Sequence, residues 1–161
     1  PGRLPYIPPR PPKGNIALNR GNKGYPKATA SYSDRYGGVA KSAIDGRIIF
    51  QPNPVNRWTS YGSPNKTDWL EVDFGQQKVI KKVVLHIYDD HGGVQTPLSY
   101  SVHYFKGNEW KEVGKIQKSP IELIGSSENI GTFAPISTSK IRVMFVHKGK
   151  ARSGLTELEV W

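Results

Sequence analysis

The segment Ile141–His147, with the sequence IRVMFVH, alternates apolar and mixed side chains with a period of two residues. Ile141, Val143 and Phe145 share one side of such a segment, because successive side chains of a strand point to opposite faces. Further segments alternate in the same way, and these are Trp69–Phe74, Lys82–Tyr88, Ser99–Lys106 and Thr156–Trp161. The pattern predicts strands that bury one face in a common core.

Turn signals separate the predicted strands. They include Gly75, the Lys106-Gly107-Asn108 tripeptide, Gly125-Ser126-Ser127 and Lys148-Gly149-Lys150. The sequence contains no long amphipathic helix, and Val39–Ile44 is predicted to form a single helical turn. Strands that follow one another without crossover helices are typical of an antiparallel sandwich or barrel. We therefore predict an all-β fold.

Length, charge and cysteine content narrow the class of protein. The chain has 161 residues, enough for one ordinary domain, and a net charge of +10 from 23 basic and 13 acidic residues. No apolar run reaches the roughly 20 residues that a transmembrane helix needs. The absence of cysteine excludes disulfides, thiolate zinc sites and a cysteine nucleophile. The positive charge predicts attraction to acidic glycans, nucleic acid or an anionic membrane.

Residues 1–14, PGRLPYIPPRPPKG, contain six of the 13 prolines and no acid. Proline restricts φ and lacks an amide donor, so this segment predicts an extended interdomain linker. A proline-rich ligand for an SH3-like module is the alternative for the same segment. We expect a folded domain over residues 15–161, no signal peptide at the start, and a chain that is a fragment of a longer protein.

The sequence lacks the common catalytic signatures, such as GxSxG, HExxH and the phosphate loop. Glu157 and Glu159 share one strand face at ~6.6 Å. They cannot flank a sugar as the two acids of a glycosidase must. His86 and His103 lie within strands, where a structural role is expected. We predict that the protein is not an enzyme.

An ordered set of short motifs resembles the discoidin family, the coagulation-factor C-type domains. The motifs are NIAL (15–18), ATAS (28–31), AIDG (43–46), RWTS (57–60), WLEVDFG (69–75), SYSVHYF (99–105), EWKEV (109–113), SKIRVMF (139–145) and LTELEVW (155–161). The bacterial members of this family include the family 32 carbohydrate-binding modules. The resemblance implies a jelly-roll-like antiparallel β-sandwich of about eight strands. It also implies a binding module, often appended to a bacterial glycoside hydrolase.

In this family, loops at one end of the sandwich hold the ligand. The matching loops here are Tyr32–Gly38, Tyr88–Gln95 and His147–Gly154. Sugar sites need an aromatic face and a few fixed polar groups. The predicted ligand-binding residues are Asp34, Arg35, Tyr36, Tyr88, Asp89, Asp90, His91, Lys148, Lys150 and Arg152. Tyr36 or Tyr88 would provide the stacking platform.

The resemblance also implies one structural Ca²⁺, because many members hold calcium near the DG turn and the last strand. Asp45 and Glu157 match those positions, and Ile48–Asn56 is an insertion longer than usual. The family places the equivalents of Trp58 and Trp69 inside the sandwich, so we expect both indoles in the core.

We expect a non-catalytic carbohydrate-binding module, tethered to an upstream catalytic domain and located outside the cytoplasm of a bacterium. The positive charge favours acidic, pectin-like glycans over neutral ones. Nucleic acid is not the expected partner, because Asp34, Asp89 and Asp90 lie in the predicted ligand loops. An anionic-membrane surface is disfavoured, since Ser33–Gly38 offers a single aromatic side chain. An adhesion domain that binds protein remains open as an alternative.

Overall fold

The computed structural model describes residues 14–161, so the predicted linker lies outside the described residues except for Gly14. Within the described residues the domain has eight strands. They are β1 (Lys27–Ala30), β2 (Trp58–Thr59), β3 (Thr67–Ile87), β4 (Ser99–Lys106), β5 (Glu109–Glu112), β6 (Gln117–Ser119), β7 (Ser127–Val146) and β8 (Gly154–Val160). A short 3₁₀ helix, Ala40–Ala43, confirms the single helical turn predicted there. All strand pairs are antiparallel, and the all-β prediction is confirmed.

The two long strands build both layers of the sandwich. The ladder between β3 and β7 is interrupted between Asp73 and Lys78 and again between Ile80 and Lys82, where the pair bends. One layer contains β1, the first half of β3, the second half of β7, β4 and β5. The other layer contains β2, β8, the second half of β3, the first half of β7 and β6.

A single apolar core joins the two layers. Trp58 of one layer stacks on Phe145 of the other, with ring centroids 6.3 Å apart at 28°. Ile141, Val143 and Phe145 are fully buried, which confirms the alternation predicted for β7. Burial of such aliphatic and aromatic surface is the main favourable contribution to folding.

Trp69 does not lie in the core, and the expectation for this residue is wrong. On β3 the buried residues are Leu70, Val72 and Phe74, so Trp69 faces outward on the opposite parity. Its half-buried indole lies under the guanidinium of Arg142, 3.8 Å from the ring centroid. This cation–π contact shields the ring from water without burying it in the sandwich.

The insertion Ile48–Asn56 covers the outer surface of β8. The Ile49 amide donates to Thr156 Oγ1 at 2.8 Å, and Phe50 lies beside His86 with ring centroids 6.4 Å apart. His86 is buried and pairs with Glu159 at 2.7 Å, as expected for a structural histidine. Glu157 and Glu159 are both buried, although they point away from the core.

The strand register gives the domain two distinct ends. One end, named the rim, contains both termini of β3. The strand begins there at Thr67, opposite Val146, and ends there at Ile87, opposite Ser127. At the distal end, the bend of β3 lies beside Trp161, whose carbonyl accepts from Lys82 N at 3.0 Å. Within residues 14–161 no helix has the length and apolar composition that crossing a bilayer requires.

Candidate functional site

The three predicted ligand loops meet at the rim. Arg152 N donates to Gly93 O at 2.9 Å, and Gln95 N donates to Arg152 O at 3.0 Å, so the second and third loops are joined through their backbones. Asp34 N donates to Thr59 O at 3.0 Å, which connects the first loop to the end of β2. Backbone bonds between segments far apart in sequence hold the loops in one arrangement.

A cleft of about 260 Å³ opens between these loops. Four of the predicted residues line it: Asp34, Tyr36, Tyr88 and Asp90. Six other residues complete the lining: Val55, Arg57, Thr59, Tyr61, Gly93 and Val94. The remaining predicted residues lie on the same loops but outside the lining of the cleft: Arg35, Asp89, His91, Lys148, Lys150 and Arg152.

Two tyrosines form an aromatic corner at the mouth of the cleft. Tyr36 is 79% exposed and Tyr61 is 46% exposed, and their ring centroids lie 6.1 Å apart at an angle of 56°. Tyr61 packs directly on Gly93, where any Cβ atom would collide with its ring. Exposed aromatic faces of this kind suit the C–H face of a sugar ring.

Arg57 and Tyr88 form the floor of the cleft. The guanidinium of Arg57 lies over the Tyr88 ring, 4.1 Å from its centroid, and its Nη1 donates to Pro52 O at 3.0 Å. Burial raises the pKa of the Tyr88 hydroxyl, and the positive charge of Arg57 opposes that shift. Because Arg57 covers the ring of Tyr88, Tyr36 and Tyr61 are the rings that remain open for stacking.

Asp34 shapes the loop that carries Tyr36. Its Oδ1 accepts from the amides of Tyr36 at 2.7 Å and Gly38 at 2.9 Å, and its Oδ2 accepts from the Thr59 hydroxyl. Gly38 is required in this turn, since a Cβ there would collide with the Asp34 carboxylate. Both oxygens of Asp34 are thus used within the protein, and the residue positions Tyr36.

Two carboxylates, those of Asp89 and Asp90, hold the backbone of the second loop in a similar way. Asp89 accepts from Thr96 Oγ1 at 2.7 Å, from Thr96 N at 2.9 Å and from His91 N at 2.7 Å. Burial opposes its ionisation, but these hydrogen bonds outweigh burial and lower the pKa of Asp89. Asp90 accepts from the amides of Gly92 and Val94 through Oδ1 and reaches the cleft. The His91 side chain is almost fully exposed.

Arg152 braces the third loop. Its Nε donates to Ser63 O at 2.7 Å and its Nη1 donates to Ala151 O at 3.0 Å. Lys148 and Lys150 are exposed on the same loop, as is Arg35 on the first. The lysines and Arg35 therefore contribute charge around the cleft, while Arg152 holds backbone carbonyls.

Sequence reasoning missed Arg57 and Tyr61 as site residues. Arg57 belongs to the RWTS motif, but nothing in the sequence places that motif at the rim. The Ser60 amide donates to Ser153 O at 2.9 Å, and this long-range bond brings the segment to the cleft.

Asp45 and Glu157 form a separate acidic pair behind the rim. Glu157 is 2% exposed, its Oε2 accepts from Gly46 N at 2.6 Å, and its buried Oε1 has no hydrogen-bond partner within the described residues. Burial, together with the nearby charges of Asp45 and Glu159, raises the pKa of Glu157 to about 10. An orphaned carboxylate oxygen beside a second carboxylate suits a hard cation such as Ca²⁺.

Two side chains are a small part of a calcium shell. Residues 14–161 contain no cluster of three or more His, Cys, Asp or Glu side chains that would hold a metal ion alone. Calcium also binds backbone carbonyls and water, so the two acids fit a site completed by the DG turn.

Comparison with known proteins places this architecture in a family. The model of the F5/8 type C domain matches residues 27–158. A chain of the Streptococcus pneumoniae beta-galactosidase BgaA superposes with a TM-score of 0.84 at 22% identity, over 92% of this chain and 98% of that one.

Two further solved structures are similar. The galactose complex of the family 32 carbohydrate-binding module of NanJ from C. perfringens has a TM-score of 0.66 at 20% identity, over 83% of this chain and 91% of that one. A chitosan-binding module 2 from Paenibacillus sp. IK-5, in complex with chitotriose, has a TM-score of 0.68 at 22% identity, over 91% and 99%. At these identities the likeness establishes the fold.

Proposed function

Because the chain belongs to the F5/8 type C, or discoidin, domain family, we propose that it is a non-catalytic carbohydrate-binding module. The rim cleft holds a sugar between the aromatic corner of Tyr36 and Tyr61 and the polar floor that carries Arg57. The observation that carries the proposal is this pairing of open aromatic faces with fixed polar groups in one cleft. Similar solved structures, among them modules bound to galactose and to chitotriose, support it.

The preferred glycan is acidic, of the pectin type. The chain carries a net charge of +10, and Arg57 presents a guanidinium on the floor of the cleft. A guanidinium pairs with a carboxylate through two parallel hydrogen bonds, which a neutral hydroxyl cannot match. The affinity of one such site is modest, since binding must offset the lost freedom of both partners.

We expect the Tyr36→Ala/Tyr61→Ala variant to lose at least about tenfold in affinity for the glycan that binds best on an array. The variant removes both exposed rings and keeps the hydrogen bonds that hold the loops in place. Isothermal titration measures the loss. Tyr25→Ala is the matched control, because Tyr25 is 55% exposed and packs at the distal end against Gly75.

Unchanged affinity of the double variant would place the sugar elsewhere.

A second candidate function is suggested by Leu98, Ile121 and Ile124, which are exposed aliphatic side chains on two adjoining rim loops. Such side chains are typical of surfaces that insert into anionic membranes or bind proteins. Sedimentation with phosphatidylserine liposomes separates the candidates, since a glycan module stays in the supernatant.

Calcium is proposed as a structural cofactor at Asp45 and Glu157. We expect Ca²⁺ to raise the melting temperature of the wild-type protein by several degrees relative to EDTA, because the cation neutralises the buried carboxylates only in the folded state. Scanning calorimetry with and without Ca²⁺ measures the shift. Glu157→Gln should abolish the response, whereas Asp73→Asn should retain it. An identical melting temperature with Ca²⁺ and with EDTA rules the site out.

The proposal extends to a linker that joins this domain to an upstream catalytic domain and to a location outside the cytoplasm. Gly14 lies against the Trp161 ring at the distal end, so the described part of the domain begins away from the cleft. An upstream enzyme attached through such a linker would act at a raised local substrate concentration. The proposed location is outside the cytoplasm of a bacterium, where polysaccharides are found.

A further inference from the structure

A second cleft, of about 340 Å³, lies at the distal end between the β4–β5 hairpin and the bend of the long strands. Two hydroxyls, two amides, one ring and one cation line it, contributed by Ser137, Ser139, Gln77, Asn108, Phe105 and Lys106. None of these residues belongs to the rim site. The cleft therefore presents a mixture of polar groups that the rim function does not use.

Hydrogen bonds from a buried threonine and a tight turn hold the walls of this distal cleft in place. Thr138 is fully buried, and its Oγ1 donates to Phe105 O at 2.7 Å and accepts from Phe105 N at 3.2 Å. Gly107 and Asn108 have φ values of 59° and 61°, as in a type I′ turn. The turn and the Thr138 bridge hold the side chains of Lys106 and Asn108 beside the two serines.

Two lysines lie at the cleft. Lys106 lines it, and Lys140 Nζ lies 5.1 Å from the ring centroid of Phe105, which also lines it. Asp73 lies opposite Lys140 and Glu109 lies opposite Lys106 across their ladders.

These lysines are not neutralised within the protein. In the described part of the chain the only ion pair that uses a lysine or arginine is Arg142–Glu71, so Lys106 and Lys140 have no carboxylate within 4.0 Å. They are available to an anion from outside.

We propose that the distal cleft is a second binding site, for an anionic sugar unit of an acidic polysaccharide. The serine hydroxyls and the Gln77 and Asn108 amides can pair with sugar hydroxyls, while the lysines neutralise a carboxylate or sulfate. Single-stranded nucleic acid fits less well, because bases need open aromatic faces and Phe105 is covered by Lys140 and Trp110.

Removal of the two cleft lysines tests the site. Lys106→Gln/Lys140→Gln is compared with Lys23→Gln/Lys41→Gln, which removes the same charge at two exposed positions outside both clefts. Binding to heparin oligosaccharides tests sulfate, and binding to oligogalacturonates tests carboxylate. We expect about tenfold weaker binding and a shallower salt dependence for the distal variant, and less than about threefold loss for the control.

Equal losses in the two variants would show that only net charge matters, and the proposal would fail. Failure of the wild type to bind either oligosaccharide would also overturn it, together with the acidic preference proposed for the rim, whereas binding of a neutral glycan at the rim would leave the proposed carbohydrate-binding module standing. Equally tight binding of single-stranded DNA through the same lysines would show that the cleft binds polyanions in general, and the proposal of a glycan site would fail. If the double variant does not fold, Lys106→Glu against Lys41→Glu repeats the comparison at two exposed positions.

The two sites are distinguished by the tyrosine variant. Tyr36→Ala/Tyr61→Ala should leave binding at the distal cleft unchanged, because the rings lie at the opposite end of the sandwich. The variant should therefore lose only the rim part of acidic-glycan binding, and a complete loss of heparin and oligogalacturonate binding would assign all binding to the rim and overturn the second site.

Discussion

Replacement of Trp58 with alanine is expected to lower the free energy of unfolding by about 3–5 kcal/mol, the range for truncating a buried aromatic side chain. Trp58 is 0% exposed and stacks on Phe145, so its removal leaves a cavity between the two layers. Its Nε1 donates to Tyr32 O at 3.0 Å, and that carbonyl loses its partner. Urea unfolding followed by circular dichroism measures the loss.

Two variants control this experiment. Trp58→Phe keeps most of the ring but not the N–H donor, and should cost about 1–2 kcal/mol. Trp69→Ala removes the same type of side chain from the outer face and should cost about 1 kcal/mol, mainly through its contact with Arg142. Equal losses at Trp58 and Trp69 would contradict their assignment to different environments.

The contrast between the two indoles shows what sequence patterning can predict. The alternation in Trp69–Phe74 places Leu70, Val72 and Phe74 on one face, and the structure buries these residues. The same alternation assigns Trp69 to the other face with Glu71. The expectation of a core position came from the family resemblance, from the size of the indole and from interpreting the alternation as burying Trp69. That interpretation is wrong, because the buried face of the strand is the one with Leu70, Val72 and Phe74.

The strands could be predicted because one face of each must avoid water, and this constraint is written into consecutive residues. The site is harder to predict, because its geometry depends on bonds between distant segments. Tyr61 reaches the cleft only because Ser60 is bonded to Ser153, which is 93 positions away. Arg152 is predicted to contact ligand, and its side chain also donates to Ser63 O of a neighbouring loop and to Ala151 O of its own loop. The sequence alone contains no sign of that bracing role.

A buried polar cluster supports the rim from beneath. Asp68 is 0% exposed, and its carboxylate is bonded to His147 Nε2 at 2.7 Å, Ser31 Oγ at 2.7 Å and Asn65 Nδ2 at 2.9 Å. His147 Nδ1 lies 2.8 Å from Ser153 Oγ. The cluster therefore connects Ser31 and His147, at the starts of the first and third ligand loops, to the beginning of β3. It also includes Asn65 of the loop between β2 and β3. Its integrity bears on function as well as on stability, because these loops carry the cleft.

We expect Asp68→Ala to lower the free energy of unfolding by about 3–5 kcal/mol, since it leaves several buried polar groups without a partner. Asp73→Asn, on the same strand but facing outward, should change stability by about 1 kcal/mol or less. The Asp68 variant should also weaken glycan binding at the rim, because the loops lose their common anchor. A loss similar to that of Asp73→Asn would contradict the role of the cluster.

The same carboxylate gives the cluster a defined pH dependence. Burial alone would raise the pKa of Asp68, but hydrogen bonds from His147 and its other partners lower it to about 2, below its ordinary value of 3.8. The unfolded chain therefore takes up this proton first, so the contribution of Asp68 is complete above about pH 4 and disappears as the pH falls towards 2. That contribution is about 2 kcal/mol. Urea unfolding of wild type and Asp68→Asn between pH 5 and pH 2 should give a stability difference that shrinks over this interval, and a constant difference would refute the shift.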